Sequence, residues 1–235
     1  MKRDHPTYGS IRVRNVARGI SYPNVEGWHN IPAWSQGGAP WKELSPFLIG
    51  PVHYEGQVCN TFETFWQSFK VWAKVDKQTH WSWSWPAEEH VDAEGNVNAA
   101  WHVWHKALFK NKHAVRRPNG RAIPLYAWFE GEKLDVIEAR KRIYIPYLQA
   151  LYRKSKVYQE LLDMVKNGQD IIILEPDGPP HEFFPDGMPV DMALLEKLQN
   201  VTELKDFPGI TSSESKKYVP FGHGYVIAMT LLQDL

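Results

Sequence analysis

Glu63, Gln67 and Lys70 recur at about one-turn spacing in the run Thr61-Phe62-Glu63-Thr64-Phe65-Trp66-Gln67-Ser68-Phe69-Lys70. A carboxylate, an amide and an ammonium in one line can bind a polar group, orient it and move a proton. Wound as a helix of about 3.6 residues per turn, the segment puts these three on one stripe and Phe62, Phe65, Phe69 and Trp72 on the other side. The aromatic side must be buried. The polar side then faces either water, as an ordinary surface with i,i+3 and i,i+4 pairing, or a pocket.

Other groups carry chemistry of their own. Lys106, Lys110, Lys112, Arg116, Arg117 and Arg121 form a basic tract, which is either a solvated face or a binder of an extended phosphate chain, as in a dinucleotide or a nucleic-acid strand. Gly222-His223-Gly224 sets flexible backbone N–H groups ahead of a final helix, where an anion is stabilised. Trp81-Ser82-Trp83-Ser84-Trp85-Pro86 alternates like a half-buried strand or extended arm that Pro86 keeps from becoming helical. Its tryptophan edge is either core or a stacking surface, on which each nucleobase contributes on the order of 1–3 kcal/mol. No metal or cofactor is expected. His102 and His105 are spaced H-x-x-H, off the i,i+4 spacing of helical zinc sites, and His113 brings no second carboxylate. Leu204-Lys205-Asp206-Phe207-Pro208-Gly209-Ile210 echoes a loop that grips a DNA backbone, but lacks its second glycine and basic continuation.

The chain must fold to position any of these. Its 235 residues at 43% hydrophobic suffice for a real core. Equal numbers of basic and acidic residues, 27 each, argue against long-range capture of a polyanion, so any such ligand must be met locally. No apolar run approaches the roughly 18 residues needed to span a bilayer, and no apolar region follows Met-Lys-Arg-Asp-His-Pro, so no membrane partner and a cytoplasmic location are expected. The single cysteine, Cys59, excludes an internal disulfide, fits a reducing compartment and reads as a small buried side chain. The oligomeric state is left open.

Element by element, the reading is mainly α. Residues 1–55, rich in Gly, Pro and Asn, predict irregular structure with one short hairpin, and residues 1–43 an extension packed on the core. Leu44 to Tyr54 predicts a short extended pair turning at Glu55-Gly56 into a helix over 61–76. A second helix is expected from Ala99 to Lys112, closed by Pro118-Asn119-Gly120. From Glu132, the spacing of Leu134, Ile137, Ile143, Tyr147, Leu148, Leu151, Val157, Leu161, Leu162 and Val165 predicts the helical centre, with Pro146 kinking it or starting a new helix and Asn167-Gly168 stopping it. Asp170–Glu175 reads as a short buried strand, 175–189 as a loop, and 191–198 and 225–232 as helices. The expectation is a single compact helical domain over residues 44–235, with short peripheral extended segments.

The order T-x-E-x-[FY]-x-Q-x-x-K resembles the signature helix of the NADAR family, named for NAD and ADP-ribose. The likeness recurs in order along residues 44–235. Leu44-Ser45-Pro46-Phe47 is similar to the family's F-S-x-F segment, and Ala114-Val115-Arg116-Arg117 through Arg121, Pro124, Leu125 and Trp128 to its A-x-R … R-x-x-P-L … W stretch. Gly224-Tyr225-Val226-Ile227 matches its closing G-Y-L-L helix. Insertions fall near 76–100 and 185–217. This chain has Thr61-Phe62-Glu63 where the family has T-S-E, and no tryptophan-glycine motif near Asp177-Gly178.

Family members are all-helical enzymes that hydrolyse N-glycosidic bonds, in riboflavin-pathway phosphates or in ADP-ribosylated guanine of nucleic acid. The resemblance therefore implies an N-glycosidase acting on a ribosyl-phosphate or ADP-ribosyl substrate, with nucleic acid among the possible carriers. Glu63 would stabilise the positive charge that builds on the ribose or activate the attacking water. Gln67 and Lys70 would orient the carboxylate and meet a phosphate. Trp128 would wall the base or ribose, Arg116 and Arg121 would bind phosphate, and Phe47, Asp177, Gly222 and Gly224 would complete the substrate contacts. The alternatives are a non-catalytic ADP-ribose or nucleotide-binding module, and a glycosyl transferase that modifies bases of nucleic acid.

Overall fold

The computed structural model describes residues 8–17, 22–75, 78–80, 83–85, 88–115, 124–210 and 218–235. In chain order, β1 (Ile11–Asn15) and β2 (Trp28–Pro32) precede a 3-10 turn at Trp41–Leu44. The hairpin β3 (Val52–Tyr54) and β4 (Gln57–Cys59) leads into α1 (Phe62–Ser68), with β5 (Lys70–Val71) directly behind it. Short strands β6 (Lys74–Val75), β7 (Gln78–His80), β8 (Trp83–Trp85) and β9 (Glu88–Glu89) come before α2 (Ala99–Phe109). The hairpin β10 (Tyr126–Phe129) and β11 (Glu132–Leu134) runs into α3 (Val136–Ala139), a π-helical turn at Arg140–Tyr144 and α4 (Ile145–Lys154). Then follow α5 (Lys156–Lys166), β12 (Asp170–Glu175), β13 (Met188–Pro189), α6 (Met192–Leu198) and α7 (His223–Asp234). The chain forms two compact units, residues 1–45 with 148–235 and residues 46–147.

The expected mainly α, all-α architecture is overturned: the fold is mixed α/β. The first unit is built on a four-stranded sheet in the order β13-β1-β12-β2, in which β1 and β2 lie parallel to β12 and β13 antiparallel to β1. The apolar run Ile171-Ile172-Ile173 is buried on both faces, as a strand between two parallel neighbours requires. Ile172 and Leu174 pack with Val16 beneath Tyr22, Val25, Trp28 and Trp34, while Ile173 and Glu175 point at the N-terminal turn of α7. Residues 11–15 and 28–32 fall in the stretch read as irregular from its Gly, Pro and Asn content, although Ile11-Arg12-Val13-Arg14 alternates apolar and polar as a strand does. Backbone pairing to β12 makes them strands nonetheless. The arginines are accommodated by aromatic faces, Arg12 at 4.1 Å over Trp28 and Arg14 at 5.1 Å over Tyr22.

Helices α5 and α7 follow the expected pattern more closely. α5 buries Val157, Leu161, Leu162 and Val165 and stops at Gly168, whose φ of +81° is readily available to glycine. The Gln169 N–H returns to the Met164 carbonyl at 3.0 Å and the Gly168 N–H to Val165 at 3.0 Å, which satisfies the exposed carbonyls of the last turn. α7 is buried from His223 to Leu231.

In the second unit, α1 packs on α2 beside an antiparallel sheet in the order β11-β10-β5. Both hairpins turn on Glu-Gly, Glu55-Gly56 with φ of 46° and 73° and Glu130-Gly131 with φ of 51° and 82°, the positive-φ pair that matches strand twist. Two expected helices are shorter than the sequence suggests. The one over 61–76 ends at Ser68, because Lys70-Val71 pairs with Tyr126-Ala127 and the Phe69 carbonyl accepts from Trp128 N–H at 2.8 Å. Leu134 belongs to β11, and helix begins only at Val136, where the Asp135 carboxylate accepts from Ile137 N–H at 2.8 Å and Glu138 N–H at 2.9 Å. Pro146 lacks the N–H that would reach back to Arg142, and the preceding Ile145 N–H goes to Arg140, giving the π turn. No helix of the described residues is long and apolar enough to cross a membrane.

Candidate functional site

Glu63 is held in place from its backbone outward. Thr61 caps α1, its Oγ1 accepting from Thr64 N–H at 3.4 Å. The first helical N–H groups are taken by the preceding loop, Phe62 donating to the Ile49 carbonyl at 2.9 Å and Glu63 to Pro46 at 2.8 Å. The half-buried Phe47 lies in that loop, one residue beyond the carbonyl that fixes Glu63. With seven residues, α1 is too short to persist alone, so tertiary contacts hold it. Phe62, Phe65, Phe69, Tyr54, Phe109, Phe129, Tyr144 and Tyr147 form a continuous edge-to-face aromatic cluster under it. The expected burial of the Phe62, Phe65 and Phe69 side is therefore observed.

On the other side, Gln67 Nε2 donates to Glu63 Oε1 at 2.7 Å. Gln67 is only 5% exposed, so its amide is a fixed rather than a solvated partner, while Glu63 is half-buried. Gln67 Oε1 has no hydrogen-bond partner among the described residues. Lys70 does not continue the helical line: it lies in β5, with its Nζ 4.6 Å from the centre of the Trp66 ring. Trp66 in turn meets Tyr144 at 5.1 Å. A carboxylate with a fixed amide, two half-buried rings and an ammonium thus share α1 and its immediate surroundings.

The remaining expected ligands of this unit lie apart or outside the description. The half-buried Trp128 packs against the cluster of Val71, Trp72, Trp101, Trp104, Leu108 and Val115. Arg116 and Arg121 lie outside the described residues, as do Arg117, Trp81 and Pro86. The described chain reaches Val115, which α1 anchors through the Thr64 hydroxyl: Val115 N–H donates to Thr64 Oγ1 at 2.9 Å and that hydroxyl donates to His113 at 3.2 Å. Among the described residues no group of three or more His, Cys, Asp or Glu side chains could hold a metal ion. His105 instead contacts the Ser68 carbonyl through Nδ1 at 2.8 Å and stacks on Trp101.

Asp177, Gly222 and Gly224 belong to the first unit, and there the structure reveals a residue the sequence reading missed. Glu175, the last residue of β12, is fully buried. Its Oε1 accepts from Asp177 N–H at 2.7 Å, its Oε2 accepts from Gly224 N–H, and His223 Nδ1 stands 3.1 Å from Oε2. His223 Nε2 meets the Ala33 carbonyl at 2.8 Å, which requires the proton on that nitrogen. The α7 N-terminus, read as an open anion site, is thus occupied by the chain's own carboxylate. This also explains the two glycines, since a Cβ on Gly222 would lie 2.3 Å from Glu175 Cδ and one on Gly224 would lie 2.9 Å from Oε2. Asp177 contributes its backbone and leaves its side chain exposed. The ionised Glu175 also helps burial to push the Tyr152 and Tyr225 hydroxyls well above their ordinary range. An acidic residue ending an apolar run, with Gly-His-Gly ahead of an apolar helix, was the available signal.

Compared with protein-family models, curated proteins and solved structures, the chain matches none.

Proposed function

We propose that this chain is an N-glycoside hydrolase of the NADAR kind, cleaving the bond between a base and an ADP-ribosyl or ribose-phosphate group, with Glu63 as the essential carboxylate. The observation that carries the reading is the 2.7 Å hydrogen bond from the buried Gln67 amide to Glu63. It holds the carboxylate in a fixed position on α1, as stabilising charge at an anomeric carbon or orienting an attacking water requires. Cleavage of an N-glycosidic bond develops positive charge on the ribose, and a positioned anion stabilises it without reorganising during the reaction. Trp66, on the same helix as Glu63, and Tyr144 against it supply ring surface, and the Lys70 ammonium over Trp66 suits a substrate phosphate. Arg116, Arg121 and the basic tract are the proposed contacts to an extended phosphate chain, on a free substrate or on nucleic acid. A cytoplasmic setting goes with the reading.

Mass spectrometry of products tests it, after incubation of the chain with ADP-ribosylated guanosine, ADP-ribosylated single-stranded DNA, NAD and a ribosylaminopyrimidine phosphate. Release of a free base together with ADP-ribose or a sugar phosphate supports hydrolysis and identifies the substrate class. Saturable binding without turnover would replace the hydrolase by a binding module. Transfer of the ribosyl group to an added acceptor would replace it by a transferase.

A further inference from the structure

We infer that the first unit carries a second binding site, for an uncharged planar heterocycle of nucleobase size, in the cleft where β1 and β12 end. The cleft has a volume of about 290 Å³ and lies at the carboxyl ends of two parallel strands, the position at which open parallel sheets bind their ligands. Small-molecule pockets run from roughly 300 to 1,000 Å³, so this one takes a base or a small nucleoside and not a dinucleotide.

Its walls are mostly rings and short apolar side chains: Ala17, Pro176, Pro180, His181 and Tyr218. The His181 ring is braced edge-on by Tyr22 at 5.3 Å. Such walls favour a flat ligand. The polar floor is Asn15, 6% exposed, whose amide donates to the Glu175 carbonyl at 3.2 Å and accepts from the Tyr225 hydroxyl at 2.6 Å. A primary amide has two N–H groups and two lone pairs, so one donor and one acceptor of Asn15 remain without a partner among the described residues. A remaining donor and acceptor suit the polar edge of a heterocycle. Gly178 closes over this amide so tightly that a Cβ there would lie 2.0 Å from Asn15 Nδ2.

Charge excludes an anion. Glu182 lines the cleft and offsets His181, with 3.4 Å between them, and Asp177 is exposed nearby in sequence. The neighbouring cation, Arg14, is turned to the Pro23 carbonyl at 2.9 Å and the Tyr22 ring. The inference goes beyond the reading at Glu63 and does not depend on it.

Calorimetric titration of the full chain with adenine, uracil and guanosine, beside inorganic phosphate and ribose 5-phosphate, tests the site. Ala17 is exposed, so Ala17→Trp fills the cleft without entering the core, and Tyr218→Ala removes a half-exposed ring. The expected result is saturable binding of at least one of the three, at least about tenfold weaker in Ala17→Trp, about five- to tenfold weaker in Tyr218→Ala and unchanged in Glu63→Gln. Absence of binding by all three, unchanged affinity in Ala17→Trp, or competition by phosphate overturns the proposal. Equal loss in Glu63→Gln and Ala17→Trp would also overturn it, by assigning the bound base to the Glu63 site.

Discussion

Replacing Glu175 by alanine should destabilise the chain by about 3–5 kcal/mol, a magnitude that follows from what the carboxylate satisfies. Two backbone donors lose their acceptor, Asp177 N–H at 2.7 Å and Gly224 N–H, both around a side chain with no exposure. A buried donor left without a partner costs about 1–3 kcal/mol, and two are left here. Glu175→Gln keeps the shape and one acceptor oxygen, but turns an NH₂ group toward one of the two backbone donors, so its cost should be about 2 kcal/mol. Urea unfolding reads both. With a slope of about 2 kcal/mol per molar, the alanine variant should unfold roughly 2 M earlier and the glutamine variant roughly 1 M earlier, the slope unchanged. A Glu175→Ala midpoint within about 0.5 M of the wild type would refute the assignment of Glu175 as the partner of the α7 N-terminus.

Acid should destabilise the chain through His90 and His105. Burial holds both imidazoles below their ordinary range, against the opposing pull of Glu88 on His90 and of the Ser68 carbonyl on His105. The folded state therefore refuses a proton that the unfolded chain accepts, so this stability is complete above about pH 6.5 and is lost as the pH falls toward the folded values. Urea melts between about pH 5 and pH 8 should show a loss of up to about 1.4 kcal/mol per pH unit per histidine, flattened by His105→Phe; a flat wild-type profile would contradict it. Burial pushes the Cys59 thiol up to about 12, so the native chain should resist alkylation at pH 8 and react once unfolded. Rapid native labelling would show Cys59 to be accessible. Gly131→Ala should cost about 1 kcal/mol in the same melts for conformational reasons alone, since φ is +82° and nothing lies within 4 Å of the added methyl. No loss would mean that the β10–β11 turn is not of this type.

The sequence was legible where local signals and tertiary contacts agreed. Asn98, Ser155 and Asp191 each cap a helix whose apolar spacing was readable, and Gly168 ends one as expected. It misled where distant pairing decided the outcome. β1 and β2 are strands because β12, more than 130 residues away in sequence, supplies their hydrogen bonds, and the Gly-, Pro- and Asn-rich composition around them outweighed the short alternation Ile11-Arg12-Val13-Arg14. Lys70 fits a helical period but follows Val71 into a sheet with β10. The pairing of Glu63 with Gln67 was legible because a one-turn spacing survives in a seven-residue helix. Glu175 was missed because its two signals, an acid ending an apolar run and Gly-His-Gly ahead of a helix, lie 48 residues apart and gain meaning only together.

The most direct measurement of the central claim is the rate of base release by Glu63→Gln beside the wild type, on whichever substrate the wild type cleaves, with circular dichroism confirming that both are folded. Glutamine preserves the volume and can still meet Gln67 while removing the negative charge. The account predicts a loss of about 10²- to 10⁴-fold in kcat. A folded Glu63→Gln protein that releases base at the wild-type rate would contradict it.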